Sequence, residues 1–422
     1  MKIPKMGLLL LLSFMLVLAG CSSKQTDQNA EGSSEIVLEF WNGFTGPDGA
    51  DMKKIVDQFN EENKGKIHVK TQTMPWANYY DKFRTVVSQG KAPDVSIMHL
   101  DQIPSYASTG SLTELDELAA ELDLKEEDFI SQVWKAGIWE GKRYGIPLDV
   151  HPIALYYNKD LLKEAGYDAP PKTYEELVEM SKALTKGDQY GIAMPTLWPS
   201  QLIYFSSLYQ HGGESVSPDG LKALYNSSEG VEALKKLVDL IHKYEVSPKN
   251  IQQDGEVTLF RQGKSAFHIN GIWMINGFKE QKDLNFGTAP IPLFGDKPAT
   301  WAGSHNFVLP KQKNPDPEKQ KAAMKFIKYV IDNSIQWAKA GQIPAKNSVR
   351  ESEEFKELEH QANIAEQVPY LVFPPASPTY IEVWVPAEEG VNLALLAKKT
   401  PEQALKDAAS KGEKQAKEKA KK

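Results

Sequence analysis

Apolar residues recur at two different periods along most of this chain. "EIVLEFW" (Glu35–Trp41) is an apolar-rich run that ends in the turn-forming "NGFTGPDG", which predicts a strand entering a loop. Met52, Ile55, Val56 and Phe59 then recur at helical spacing, and "KIHVKTQTM" alternates apolar and polar as a half-buried strand does. "APDVSIM" (Ala92–Met98) predicts another strand. Thr173-Tyr174-Glu175-Glu176 is a capping box ahead of a helix carrying Leu177, Met180 and Leu184 on one side. Val231, Leu234, Val238 and Ile241 mark a further helix. Thr400-Pro401-Glu402-Gln403 opens a last one, with proline at the favoured first helical position. Strands alternating with helices over so long a chain predict an α/β architecture, and no internal repeat of fixed period is present.

The two ends read differently. Lys2 and Lys5 precede a nearly pure apolar run, Gly7–Ala19, too short to span a bilayer and suited to the apolar core of a secretory signal. The run closes in Leu18-Ala19-Gly20-Cys21, which resembles the lipobox of bacterial lipoproteins. In such proteins cleavage leaves the cysteine first and lipidated. Residues 1–20 are therefore expected to be a signal peptide and Cys21 a lipid anchor. The small polar residues that follow, within 21–35, would form a flexible tether. The protein would then work outside the cytoplasm, anchored to the cell membrane. Cys21 is the only cysteine, so no internal disulfide is available and the fold must rest on its core. At the other end "KGEKQAKEKAKK" (411–422) holds six lysines and two glutamates with no evident apolar face, and is expected to fray as a basic tail.

Composition narrows the partner. A formal net charge of −7 argues against nucleic acid. Arginine occurs only at Arg84, Arg143, Arg261 and Arg350, which disfavours bidentate capture of phosphate or carboxylate and favours a polar, uncharged ligand. Phosphate-binding, zinc-protease and serine-hydrolase motifs are missing, and the eight histidines are scattered, so no metal and no cofactor are expected. Acidic clusters such as Glu126-Glu127-Asp128 and Glu351-Ser352-Glu353-Glu354 read as solvated faces rather than catalytic pairs. Tryptophan is the stronger signal. Trp41, Trp76, Trp198, Trp273, Trp301 and Trp384 stand beside Gly, Pro, Asn or strand-end residues, where flat side chains can face a ligand with apolar faces and polar edges.

Four stretches, in this order and behind a lipobox, resemble the sugar-binding lipoproteins of bacterial ABC importers, the maltose-binding-protein-like extracellular solute-binding proteins. They are "APDVSIMHLDQIPSYASTGSLTEL", "EGKRYGIPLDVHPIALYYNKDLL", "LFRQGKSAFHINGIWMINGF" and "TPEQALKDA". The resemblance implies a two-lobe periplasmic-binding-protein-like fold with a multi-strand hinge and a ligand cleft between the lobes. One lobe would comprise 36–150 plus 289–330, the other 151–288 plus 331–410. It implies a monomeric receptor, not an enzyme, that closes on a sugar or oligosaccharide and presents it to the membrane permease.

Matched position by position, the resemblance makes Asp101 a sugar-binding carboxylate, and Trp273 and Trp384 stacking tryptophans of the second lobe. Asn42 matches a first-loop position, with Phe44 just beyond it. His151 stands where a ligand-contacting Glu is found in the family, Met98 where a tryptophan is, and Gln102 where an arginine is. Those departures put maltose itself in doubt. Trp76, Asp149, Trp198, Trp301 and His305 join the candidates from their loop positions. Two alternatives stay open. One is a receptor for a phosphorylated polyol such as glycerol 3-phosphate; the other is a surface glycosidase, which needs two carboxyl groups about 5–10 Å apart.

Overall fold

The computed structural model describes residues 35–46 and 48–421. The segment expected to be a signal peptide, Cys21 and the polar stretch to Ser34 lie outside them.

Two sheets carry the fold. In the first, strand Ile36–Asn42 lies between Ile67–Thr73 and Val95–His99, parallel to both. Parallel neighbours require crossovers, and helices Asp48–Glu62 and Trp76–Ser88 supply them. Met52, Ile55, Val56 and Phe59 are the residues the first of these helices buries, as the helical spacing predicts. His305–Val308 and Ile146–Pro147 complete the sheet antiparallel. Helix Pro317–Asp332 packs on Ile36–Asn42, where Phe326 meets Phe40 edge-on at 5.2 Å between ring centroids.

The long strand Asp149–Asn158 centres the second sheet. It pairs antiparallel with Ser265–Gly271, Phe286–Ala289, Thr300–Gly303 and the short Ile343–Pro344. Around it lies a second core built on Tyr174–Leu184, Ser200–Gln210, Ser228–His242, Tyr380–Leu395 and Pro401–Lys419. The predicted caps are present. Thr173 Oγ1 accepts the Glu176 amide (3.2 Å) and Thr400 Oγ1 that of Gln403 (3.3 Å).

The basic tail differs from its expectation. Residues 401–419 form one helix, and Ala404, Leu405, Ala408, Ala409, Gly412 and Ala416 bury a continuous face against Tyr380–Leu395. The i, i+4 spacing of small residues makes that face, and the lysines stay outside it. Lys419 Nζ reaches Ser105 Oγ (2.9 Å) and Glu382 (2.8 Å).

One buried histidine affects stability. His268 is 0% exposed, stacks on Phe260 (5.6 Å), and has no hydrogen-bond partner at either ring nitrogen. Burial pushes its imidazole down to about 3. A depressed folded pKa means the unfolded chain takes up its proton first. The contribution is therefore full above about 6.5 and is lost as pH falls from there toward 3. Urea titrations at pH 7.5 and 5.0 should thus show a stability loss that is smaller in His268→Phe; an equal loss in both proteins would clear this histidine.

Candidate functional site

The chain passes between the sheets at one place. Ile146–Pro147 belongs to the first sheet and the strand from Asp149 to the second. Thr300–Gly303 belongs to the second and continues through Ser304 into His305–Val308 of the first. The two passages are tied by the Leu148 amide donating to the His305 carbonyl (2.8 Å), and Ala345 closes a third by donating to the Leu148 carbonyl (3.1 Å). The passages thus fall near 148, 304 and 345, whereas lobe boundaries near 150, 288 and 330 were expected. Residues 289–303 go with the second sheet, and helix 317–332 and its successor 334–339 pack with the first.

Asp149 organises this crossing. It is 0% exposed, and its Oδ1 accepts from His151 Nδ1 (3.1 Å) and the His305 amide (3.0 Å). Its Oδ2 accepts from His305 Nδ1 (2.8 Å) and Trp337 Nε1 (2.7 Å). Burial alone would push this carboxyl up; His305 and His151 outweigh it and hold it well below the usual carboxylate range. His99 lies opposite His305 in the strand register, and its Nδ1 meets the Tyr80 hydroxyl at 2.7 Å. Burial, followed by the neighbouring imidazoles, holds the pKa values of His99 and His151 below the usual histidine range.

Aromatic rings extend from this centre in both directions. On the first-lobe side Trp76 lies 4.2 Å from His99 and stacks near His305 at 5.9 Å, and Phe44 packs between Trp76, His305 and Trp337. On the other side His151 lies 6.1 Å from Trp273 and 6.2 Å from Trp301, and Trp198, 41% exposed, stacks on Trp273 at 5.6 Å. Glycines make this layering possible. A Cβ on Gly43 would fall 2.1 Å from the Trp76 ring and one on Gly271 2.0 Å from the Trp273 ring, so only glycine lets either indole lie against the backbone.

A second group sits where the Leu100–Gln102 turn of the first lobe meets helix Tyr380–Leu395 of the second. Asp101 is half-buried with its Oδ1 enclosed and unpartnered, and burial pushes its carboxyl up to about 7. Trp384 stacks on Phe205 (5.8 Å) and Tyr380 (6.0 Å), with its indole N–H also buried and unpartnered. Gln201 donates to the Trp384 carbonyl (2.8 Å) and leaves its own Oε1 without a partner. Asn42 Oδ1 accepts from Phe44 and Thr73 while its Nδ2 has no acceptor. Partnerless buried polar atoms are costly, and those of Asp101 and Trp384 lie on the two elements that meet here, with Gln201 bonded alongside.

A profile of the family described as bacterial extracellular solute-binding protein matches residues 54–363. The chain belongs to that family. Its relatives are distant but collinear. The maltodextrin-binding protein of Bacillus subtilis is 26% identical, with 94% of each chain covered. The maltooligosaccharide ABC transporter solute-binding lipoprotein of Streptococcus pneumoniae is 27% identical over 93% of this chain and 92% of its own. Among solved structures, an ABC transporter solute-binding protein of Thermotoga lettingae bound with α-D-tagatose superposes with a TM-score of 0.77 at 27% identity. That match covers 90% of this chain and all of the other. The fold is the two-lobe α/β fold of these proteins.

In this solute-binding protein the candidate residues fall into the two groups just described. Phe44, Trp76, His151, Trp198, Trp273, Trp301 and His305 belong to the run of rings through the hinge, and Asp149 is the carboxylate at its centre. Asp101 and Trp384 stand at the lobe junction beside Gln102, while Met98 is fully buried in the first sheet. Trp41 lies in the core under Lys82. His99, Tyr80, Gln201 and Trp337 were not anticipated. His99 ends a strand next to Asp101, which is a usable signal; Trp337 looks like any core residue of a helix.

Proposed function

We propose that this protein is a lipid-anchored receptor outside the cytoplasmic membrane. It captures a sugar or oligosaccharide between its lobes and delivers it to an ABC permease. The observation that carries the reading is that indoles line the crossing between the lobes while Asp101 and Trp384, on elements that meet across them, keep buried polar atoms without partners. A sugar ring supplies both an apolar face and several hydroxyls. The names of the relatives, for maltodextrin and maltooligosaccharide, and the tagatose-bound neighbour support the class. Asp101 and Gln102 would hold hydroxyls, Trp273 and Trp384 would stack, and Asn42, Trp76, Trp198 and Trp301 would line the cleft. No cofactor is assigned and no catalysis is needed.

The phosphorylated-polyol alternative lacks its usual recognition group. Arg84 pairs with Asp81, Arg143 lies over Trp134, Arg261 over Phe278, and Arg350 bonds Asn347. A thermal-shift screen against mono- and oligosaccharides tests the reading. A ligand at 100 times its dissociation constant adds about 2.7 kcal/mol of stability. No shift with any sugar would sink it, and turnover of a chromogenic glycoside would favour the hydrolase instead.

The anchor has its own test. Cys21→Ser should move the protein from the membrane fraction to the soluble one and leave ligand affinity unchanged. Retention at the wild-type level would end the lipobox reading.

A further inference from the structure

Three histidines distant in sequence converge at the hinge, and sugar capture does not require three. His99 and His305 face each other across the first sheet, and His151 comes from the long strand of the second. One ring nitrogen from each lies within 4.8 Å of one from each of the others. Ring centroids are 4.3 Å apart for His151 and His305, 5.0 Å for His99 and His305, and 6.1 Å for His99 and His151. Around a tetrahedral zinc ion with Zn–N of about 2.0–2.1 Å, the nitrogens stand about 3.4 Å apart. The nitrogens would therefore draw together by up to about 1.4 Å to ligate such an ion.

The outer sides of the rings strengthen the case. Nδ1 of His151 and of His305 is taken by the two oxygens of Asp149, and Nδ1 of His99 by Tyr80. Nε2 is the nitrogen each ring has left. A carboxylate or hydroxyl holding Nδ1–H is the arrangement that orients a metal-ligating histidine and raises its basicity. Here one carboxylate serves two rings and is itself fixed by the Trp337 indole and the His305 amide. Trp76 walls one flank of the cluster.

We propose that His99, His151 and His305 bind one divalent first-row transition ion, zinc foremost, through their Nε2 atoms, with a fourth position for water or an oxygen of a molecule in the cleft. Three imidazoles suit zinc, cobalt, nickel or copper, whereas magnesium and calcium prefer oxygen. Two ligands belong to one sheet and one to the other, so the ion favours the lobe arrangement in which the rings meet. This goes beyond the sugar reading and does not depend on it.

The test uses untagged mature protein stripped with a chelator. Titration with Co²⁺ should give one equivalent and the visible bands of a low-coordinate imidazole site, displaced by Zn²⁺. His99→Gln should weaken binding at least a hundredfold. Tyr80→Phe should keep the stoichiometry and weaken affinity about 10–100-fold. X-ray absorption on the zinc-loaded wild-type protein should report three imidazole nitrogens, and it decides alone if a variant fails to fold. Binding of less than one equivalent, an all-oxygen zinc shell, or affinity unchanged by His99→Gln in a folded variant would overturn the site. Sugar binding, scored separately by thermal shift, stands or falls on its own.

Discussion

Asp149→Ala should destabilise the protein by about 3–5 kcal/mol, as removal of one partner from a buried charged network does. Four donors lose their acceptor at once: two imidazole N–H groups, the Trp337 indole and the His305 amide. No water replaces the carboxylate cheaply in a site that is fully enclosed. Asp149→Asn is the informative partner. Its single oxygen can serve only one pair of donors, and its NH₂ would face the other pair. A histidine can change tautomer to accept from it, but an indole or a backbone N–H cannot. Asn should therefore recover part of the loss and not all of it. The depressed pKa sets the pH window. The group's stabilisation is complete above the unfolded value of about 3.9 and is lost as pH falls below it. Urea denaturation in a chelator, so that no metal contributes, should order the proteins wild type, Asn, Ala at pH 7.5. Equal stability for all three would mean the crossing does not depend on this carboxylate.

That same crossing explains what was and was not legible in the sequence. Periodicity located the elements well where one face is buried, as for Met52, Ile55, Val56 and Phe59, because burial imposes the helical period. It failed at 411–419, where the buried face consists of Gly412 and Ala416, residues too small to register as apolar against four lysines. The passages between lobes were misplaced for a different reason. A strand that changes sheets at Ser304 keeps its extended backbone and apolar alternation, so nothing local marks the change. Candidate residues beside the motifs could be named, since Asp101 and His151 lie within the matched stretches. The meeting of His99 with His151 and His305 is a product of strand register between distant segments, and register is set by tertiary pairing that no single stretch encodes.

The affinity of the protein for its sugar should fall as pH drops below about 7, and Asp101 should be the reason. Burial already lifts this carboxyl to about 7, with the amides of Asp101 and Gln102 opposing, and its enclosed Oδ1 has no donor. Sugar hydroxyls donating to the ionised form would lower that value in the complex. The free protein must then release a proton to bind, which costs up to about tenfold in affinity per pH unit below 7 and nothing above it. The apo linkage runs the opposite way. A raised carboxyl pKa contributes stability that is present in acid and lost as pH rises through 7, so the ligand-induced thermal shift should be largest above 7. Asp101→Asn should abolish the pH dependence and weaken binding at pH 8 by about 1.5–3 kcal/mol, roughly ten- to 150-fold. Trp273→Ala should cost about 2 kcal/mol or more, yet keep the pH dependence, because a stacking face carries no proton. A deoxy sugar lacking the contacted hydroxyl separates the two roles further. Asp101→Asn should penalise it less than the parent sugar, and Trp273→Ala should penalise both alike. Calorimetric titration from pH 5.5 to 8 in two buffers of different ionisation enthalpy would read both the affinity and the proton released. A wild-type affinity that is flat across that range would remove Asp101 from the ligand's first contacts.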